Sequence, residues 1–290
     1  MPTERIQLHA SAPLSDRGRA LWLGTIDRLG RAGLSALGPL IFVGIWWLVV
    51  GLHLLPATIL PSPVKVLHAL FDWAFGDPEL GPYSGTLLDA TMASSQRVFA
   101  GFAFASIIAV PLGLAVGYFP VVGRIVDPLV HLLRPIPVTA WVPLSLVFWG
   151  FGFQGAVFLI ALGSFFPIVV NTSEGVRGVS LSLVKVGRML GATRMQMLRH
   201  FVFPAALPAI FVGLRLGIGL SWVLVIVAEL LSVKSGIGYT LLDAYSFTRY
   251  DVIIAAMIIL GTLGFLSDRI LMVAQQLLLR WHQEITIHER

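Results

Sequence analysis

The chain has 290 residues, 57% of them hydrophobic and only 12% charged, with a mean hydropathy of +0.86. Soluble domains carry about 25% charged residues, so a chain this apolar belongs in a bilayer. Its net charge of +5 does not describe a nucleic-acid surface, because the basic residues sit in loops between apolar runs, and the absence of cysteine excludes disulfides and thiolate metal sites.

Residues 1–35 are polar and hold Arg5, Arg17, Arg19, Arg28 and Arg31. They show no short apolar core followed by a small-residue cleavage site, so they read as a tail rather than a cleavable signal. A membrane span needs about 20 apolar residues. Six segments qualify: 36–55, 95–117, 124–149, 155–173, 208–231 and 251–277. The fold class is therefore an all-α polytopic membrane protein. Between the first two spans, Pro61-Ser62-Pro63 precedes a short surface helix near 63–75. The third span is interrupted by Pro128, Pro135, Pro137 and Pro143. Prolines at membrane depth are tolerated where neighbouring helices or water satisfy the freed carbonyls, which places this segment inside a bundle.

Loop charge sets the orientation. Loops 1–35, 118–124, 174–207 and 278–290 carry thirteen Lys and Arg; loops 56–94, 150–154 and 232–250 carry three. Both termini and the 174–207 loop are thus expected in the cytoplasm. The acidic 56–94 loop, with Asp72, Asp77, Glu79 and Asp89, is expected outside. No internal repeat and no separate soluble domain is visible. The domain plan is one membrane domain, 36–282, with tails 1–35 and 283–290.

The loop between the fourth and fifth spans is basic and locally amphipathic. Leu183, Val186, Leu190, Met197 and Phe201 fall near one helical face, and Arg188, Arg194 and Arg199 fall largely elsewhere. Ser180 or Ser182 can cap the start. Gly191 interrupts the pattern at a cost of about 1 kcal/mol in a helix interior, which suits a bend between two short helices. Pro204 and Pro208 then form a turn ahead of the next span. Two readings of periodicity stand side by side: a helix lying on anionic lipid, or a helix seated in the groove of a cytoplasmic partner.

Ionisable groups at membrane depth default to a functional hypothesis. Arg134 lines a pathway and attracts an anion, or bonds carbonyls freed by the prolines. Trp141 lines the same route or packs. Arg215 pairs or reaches to headgroups, or meets substrate. Glu229 bonds a helix terminus near Gly236-Ile237-Gly238, or pairs with a cation across a dimer. Asp268 and Arg269 face a dimer or the headgroups. Gly113 and Gly117, and Gly213 and Gly217, are four apart, with Gly219 in the same stretch; such spacing permits close helix approach within a bundle or at a sliding gate between copies. His9, His53, His68, His131, His200, His282 and His288 show no metal-ligand spacing. No phosphate-cradling Gly-x-x-x-x-Gly-Lys-Ser/Thr is present, and no nucleophile triad is arranged for catalysis.

Gly191, the nine residues 192–200 and the closing Phe201-Val202-Phe203-Pro204 resemble the cytoplasmic signature of ABC importer permeases. That signature reads Glu-Ala-Ala, three residues, Gly, nine residues, Ile-x-Leu-Pro, and the spacing fits without a gap. Leu133-Arg134-Pro135-Ile136-Pro137, Phe148-Trp149-Gly150-Phe151-Gly152, Phe166-Pro167 through Asn171, Gly213-Leu214-Arg215, Ala228-Glu229-Leu230 and Gly236-Ile237-Gly238 look like the nitrate/sulfonate/taurine/bicarbonate branch. The resemblance covers about 38–282. It departs at Lys185-Val186-Gly187, where the family has Glu-Ala-Ala, and at Phe201 and Phe203, where it has Ile and Leu.

The resemblance implies an importer-permease (MetI-like) bundle of six transmembrane helices, with an amphipathic coupling helix between the fourth and fifth. It implies a prokaryotic plasma (inner) membrane location, a second permease copy in a homodimer or heterodimer, two nucleotide-binding ATPase subunits inside and a substrate-binding protein outside. ATP and Mg would be bound by the ATPase partner, and no cofactor by this chain, which would not itself be an enzyme. Lys185, Arg188, Leu190, Gly191, Ala192, Thr193, Arg194, Met197 and Pro204 become the coupling residues. Arg134, Trp141, Arg215 and Glu229 become candidates for the translocation path. ATP-driven closure of the partners would push on 183–200 and reach the fifth span through the Pro204–Pro208 turn. A ligand biases two states only by binding them differently, so the loop must meet its partner differently in each. Two other classes compete: an ion-coupled secondary transporter, which usually shows inverted repeats, and a non-transporting membrane scaffold.

Overall fold

The computed structural model describes residues 37–56, 58–79 and 81–279; the expected tails, 1–35 and 283–290, lie outside the described residues. All regular structure among the described residues is helical. The chain divides into two units, residues 1–65 and 66–290. In the first unit, α1 (Leu37–Gly51) is a short apolar helix. Its 15 residues rise about 22 Å, less than a 30 Å hydrocarbon layer. The Trp46 indole donates to the Pro61 carbonyl at 3.2 Å. Among the described residues the first expected span, 36–55, is helical from Leu37 to Gly51.

The surface helix expected near 63–75 is α2, Pro63–Phe75, which starts on a proline that has no N–H to leave unpaired. The second unit is built on α3 (Leu87–Tyr118), α6 (Phe153–Arg177), α9 (Phe203–Ser232) and α11 (Tyr250–Leu278). Among the described residues four helices are long and apolar enough to cross a membrane: α3, α6, the continuous rod Arg194–Leu231 and α11. A bent pair makes up to five if its two arms count as one span. It consists of α4 (Pro120–Leu133), a 3-10 turn (Val138–Trp141) and α5 (Val142–Trp149), and its two arms meet at 91°. The third segment, expected over 124–149 and interrupted by prolines, is thus a pair of helices that starts earlier, at Pro120, and turns sharply between Leu133 and Val138. Pro135 and Pro137 lack the N–H groups that would bond the carbonyls of residues 131 and 133, so the helix ends at Leu133 and restarts in a new direction.

Helix α6 is the centre of this unit and packs along α3 on one side and α9 on the other. Small residues set the spacing. A Cβ at Gly113 would meet Thr172, one at Gly117 would meet Val176, one at Gly213 would meet Asn171 and Ile168, and one at Gly217 would meet Ile168. Both four-residue glycine pairs therefore serve close packing within the chain. Gly219 faces open space instead. Ala105, Ala109, Phe166, Ile168 and Val169 form the α3–α6 core, and Val176, Met197, Val202, Ala206 and Ile210 continue it toward the end of α6. The Ser164 and Ser221 hydroxyls bond across α6 and α9 at 2.9 Å.

At the end of the bundle where α6 stops lies α7 (Leu181–Met189), followed by a turn, α8 (Arg194–Met197) and a five-residue π-turn (Leu198–Val202) that runs into α9. The turn expected between Pro204 and Pro208 is not there. Pro204 occupies the first turn of α9 and Pro208 lies inside that helix. The π-turn accommodates the missing donors, so 194–231 is one rod. At the opposite end, α10 (Ile237–Ser246) joins α9 to α11.

Candidate functional site

The segment 178–204 is built by local caps. The Ser180 hydroxyl accepts from the Leu183 N–H at 3.4 Å and starts α7. Helix α7 ends at Met189 with Leu190 as its C-cap, and Gly191 follows with φ of +73°, a left-handed conformation that glycine adopts without a Cβ clash. The Ala192 N–H donates to the Gly187 carbonyl at 3.1 Å, closing the turn. Thr193 then caps α8: its hydroxyl accepts from the Gln196 N–H, and the Gln196 side chain accepts from the Thr193 N–H at 2.9 Å. This reciprocal box satisfies two orphan donors. The sequence reading placed a bend at Gly191 between two short helices, and that is the geometry observed.

The packed face differs from the one expected. Val186 and Leu190 are exposed rather than turned to the core. Gly187 is buried instead, and the Met197 thioether fills the space a Cβ there would need. A glycine invites a large neighbour into contact, so the contact surface rotated away from the apolar stripe that periodicity marks. The result is a rigid knob. Met189 and Leu190 are 85% and 73% exposed, with Leu181 and Met195 also outside. Lys185, Arg188 and Arg194 are exposed on the same segment. A groove of about 520 Å³ lies beside the knob, lined by Tyr118, Val184, Arg188, Ala192, Arg194 and Met197 among others. The Tyr118 hydroxyl donates to the Arg194 carbonyl at 2.9 Å and so ties the end of α3 to α8. Arg177, at the end of α6, pairs with Asp127 of α4 at 2.5 Å and more loosely with Glu174. The structure therefore brings Lys185, Arg188, Leu190, Gly191, Ala192, Thr193, Arg194 and Met197 into one compact element. Pro204 stands apart from it, half-buried in α9.

The four path candidates are dispersed, and no hydrogen bond joins any two of them. Arg134 caps the end of α4 at the 91° elbow and is exposed. Trp141 ends the 3-10 turn and packs against the cluster of Val142, Ala156, Leu159 and Ala228. Arg215 makes a two-pronged pair with Asp268 of α11, Nε–Oδ1 at 2.7 Å and Nη2–Oδ2 at 2.9 Å. Its partner is thus in the same chain.

Glu229 sits in the most elaborate polar cluster of the second unit. Its side chain is fully buried, and its carboxylate accepts from Arg97 Nη1 at 2.5 Å, from the Ser94 hydroxyl at 2.8 Å and from the Gly238 N–H at 2.8 Å. Arg97 also donates to the Ser235 carbonyl and hydroxyl, and Ser94 accepts from the Ile237 N–H. The carboxylate occupies the space a Cβ at Gly236 would take, where φ is +107°. Glu229 thus caps the N-terminus of α10 and holds α3, α9 and α10 together. The helix-terminus bond was legible from the sequence. Arg97 and Ser94 were not singled out, although Glu229 is the only acid between Glu174 and Asp243 and a cation at membrane depth needs an acid.

Beside that cluster, a second polar group ties the loop before α3 to α10 and α11. The Tyr83 hydroxyl donates to Asp243 at 2.8 Å, and Arg249 lies over the Tyr83 ring while pairing with Asp251. Burial, reinforced by the bond to Asp243, pushes the Tyr83 phenol well above the ordinary tyrosine range. The bond to Asp251 raises the Arg249 guanidinium further.

Among the described residues the architecture is an all-helical bundle with four or five membrane-length helices and a capped knob at one end of its central helices, which fits a membrane transport subunit. The chain belongs to the family of binding-protein-dependent transport system inner membrane components, whose model matches residues 101–280. An ABC transporter permease of Methanocaldococcus jannaschii is 40% identical over 87% of this chain and 92% of its own length. The taurine transport system permease of Escherichia coli is 33% identical over 92% and 95%. The nitrate import permease of Synechocystis is 35% identical over 78% and 82%. The fold matches the inward-facing MetNI methionine ABC transporter with a TM-score of 0.60 and 19% identity, covering 68% of this chain and 98% of that one. The chain is accordingly a permease subunit of an ABC importer, a transport protein rather than an enzyme.

Proposed function

We propose that this chain, paired with a second permease copy as a homodimer, forms the translocation path for a small oxyanion such as nitrate, a sulfonate including taurine, or bicarbonate. A substrate-binding protein delivers the solute from outside, and two ATPase subunits, which bind ATP and Mg, drive the cycle from the cytoplasm. Both termini and residues 174–207 face the cytoplasm, as the thirteen-to-three distribution of loop cations favours. The observation that carries the reading is the exposed, doubly capped knob at 181–197. It is fused to a rod that continues to Leu231. A push on α8 is therefore carried into α9 along one continuous helical stretch, with only the π-turn at 198–202 between them. The names of the taurine and nitrate relatives support the oxyanion class.

Arg134, exposed at the elbow, is the strongest path candidate, because its guanidinium has no acid partner among the described residues. Trp141, Arg215 and Glu229 act from within the packing, shaping the walls. A ligand screen on the cognate binding protein by calorimetry tests the substrate class: tight binding of nitrate, a sulfonate or bicarbonate supports it, and binding only of neutral or cationic solutes refutes it.

A further inference from the structure

The knob carries a charge pattern that docking alone does not require. Lys185, Arg188, Arg194 and Arg199 are exposed, and none makes an ion pair among the described residues. Arg177, the remaining cation of this loop, is already neutralised by Asp127 and Glu174. The sequence holds no Asp or Glu between Glu174 and Glu229, so the segment has no acid of its own to offset the four cations. Position 185, an acid in the signature that this loop resembles, is here a lysine on the exposed side of α7. Arg188 and Arg194 line the same groove from opposite sides of the Gly191 turn. Exposed apolar tips on a segment whose exposed charges are all of one sign suit a partner of the other sign.

We propose that the ATPase subunit of this importer receives the knob in an apolar socket rimmed by carboxylates, and that one acidic side chain of that subunit enters the groove between Arg188 and Arg194. Met189 and Leu190 fill the apolar floor. Lys185 and Arg199 meet acids at the rim, so the charge relation at position 185 is inverted relative to the signature. This rests on the docking reading above and specifies the chemistry of the docked face. An anionic lipid surface fits less well. An interfacial helix presents its apolar groups along one plane, whereas Leu181, Met189, Leu190 and Met195 project from both sides of the turn, beside a concavity. Opposite charges across an interface set partner choice and make association depend on salt.

The test uses the full permease in nanodiscs of zwitterionic lipid and the purified ATPase subunit, with affinity measured at rising NaCl concentration. Lys185→Glu, Arg188→Glu and Arg194→Glu are made singly, together with a Met189→Asp/Leu190→Asp variant; unchanged melting temperatures confirm that all fold. The proposal expects each reversal to weaken binding by about 10-fold or more and to flatten the salt dependence. It also expects an acid-to-lysine change on the ATPase subunit to restore one reversal. If all reversals bind within 2-fold of the parent while Met189→Asp/Leu190→Asp abolishes binding, the acidic rim is wrong and docking stands. If Met189→Asp/Leu190→Asp also binds normally, docking at this knob is itself wrong. If the reversals change affinity only in nanodiscs of phosphatidylglycerol, the cations serve lipid and the proposal is overturned.

Discussion

Removing Arg97 should expose how strongly the buried cluster at the α10 end is coupled. Arg97→Met keeps the aliphatic bulk between α3 and α9 but removes the guanidinium that bonds Glu229 and Ser235. Glu229 is fully buried and Arg97 is 7% exposed in its side chain, so water cannot replace the lost partner. The carboxylate keeps only the Ser94 hydroxyl and the Gly238 N–H. Breaking a buried pair from one side costs about 3–5 kcal/mol. For a unit of this size that corresponds to a fall in melting temperature of roughly 10 °C. Adding Glu229→Gln to Arg97→Met removes the orphaned charge and leaves an amide oxygen for the Gly238 N–H. The double variant should therefore be more stable than Arg97→Met alone, recovering about half of the loss. The assay is thermal unfolding of the detergent-purified permease, run as a double-mutant cycle. A double variant that loses the sum of the two single losses would refute the claim that these groups stabilise each other.

Three further perturbations probe the remaining elements. Gly113→Leu drives a side chain into Thr172 and the Val169 carbonyl; overpacking there should cost about 1–3 kcal/mol, read as a lower melting temperature, whereas the same change at Gly219, which faces open space, should cost less than half as much. Thr193→Ala removes one half of the capping box at α8 and should cost the knob about 1 kcal/mol, seen as faster amide exchange over 193–197 with the spans unchanged. Tyr83 is held neutral in the folded chain, so its contribution is complete below the ordinary phenol pKa of about 10 and is lost as pH climbs through the raised folded value. Melting temperature should thus fall between pH 9 and pH 12 more steeply for the parent than for Tyr83→Phe; parallel curves would count against this bond.

Composition and loop charge were enough to read a polytopic helical protein, because long apolar runs such as those inside α6 and α11 have no alternative in a soluble fold. The knob was legible in part for a similar reason: Ser180 and Gly191 are local signals that act within four residues, whereas the Thr193–Gln196 box, equally local, was not singled out. The rest of what escaped was set by distant neighbours. Proline content marked the third span as broken, but the 91° elbow at residues 134–137 depends on what the two arms pack against. Pro204 and Pro208 read as a turn, yet the π-turn before them lets α9 continue through both. Gly187 was taken with the signature departure and not as a packing site, because the thioether that fills its place comes from Met197, ten residues on. Arg97 sat near the start of a span, where a cation looks interfacial; only the return of α9 shows that its partner is Glu229.

The central claim is that this chain carries solute only when an ATPase subunit grips the knob at 181–197. Its most direct measurement is ATP-dependent uptake in proteoliposomes holding the permease, its ATPase subunit and the loaded binding protein, compared between the parent and Gly191→Trp. No atom lies within 4 Å of a Cβ at 191, so the indole projects outward and the bundle can still assemble, although φ of +73° strains the turn. Uptake that requires ATP in the parent and falls at least about 10-fold in Gly191→Trp, with the variant inserted and monodisperse, is the predicted result. Equal uptake by the two, or uptake by the parent without the ATPase subunit, would contradict it.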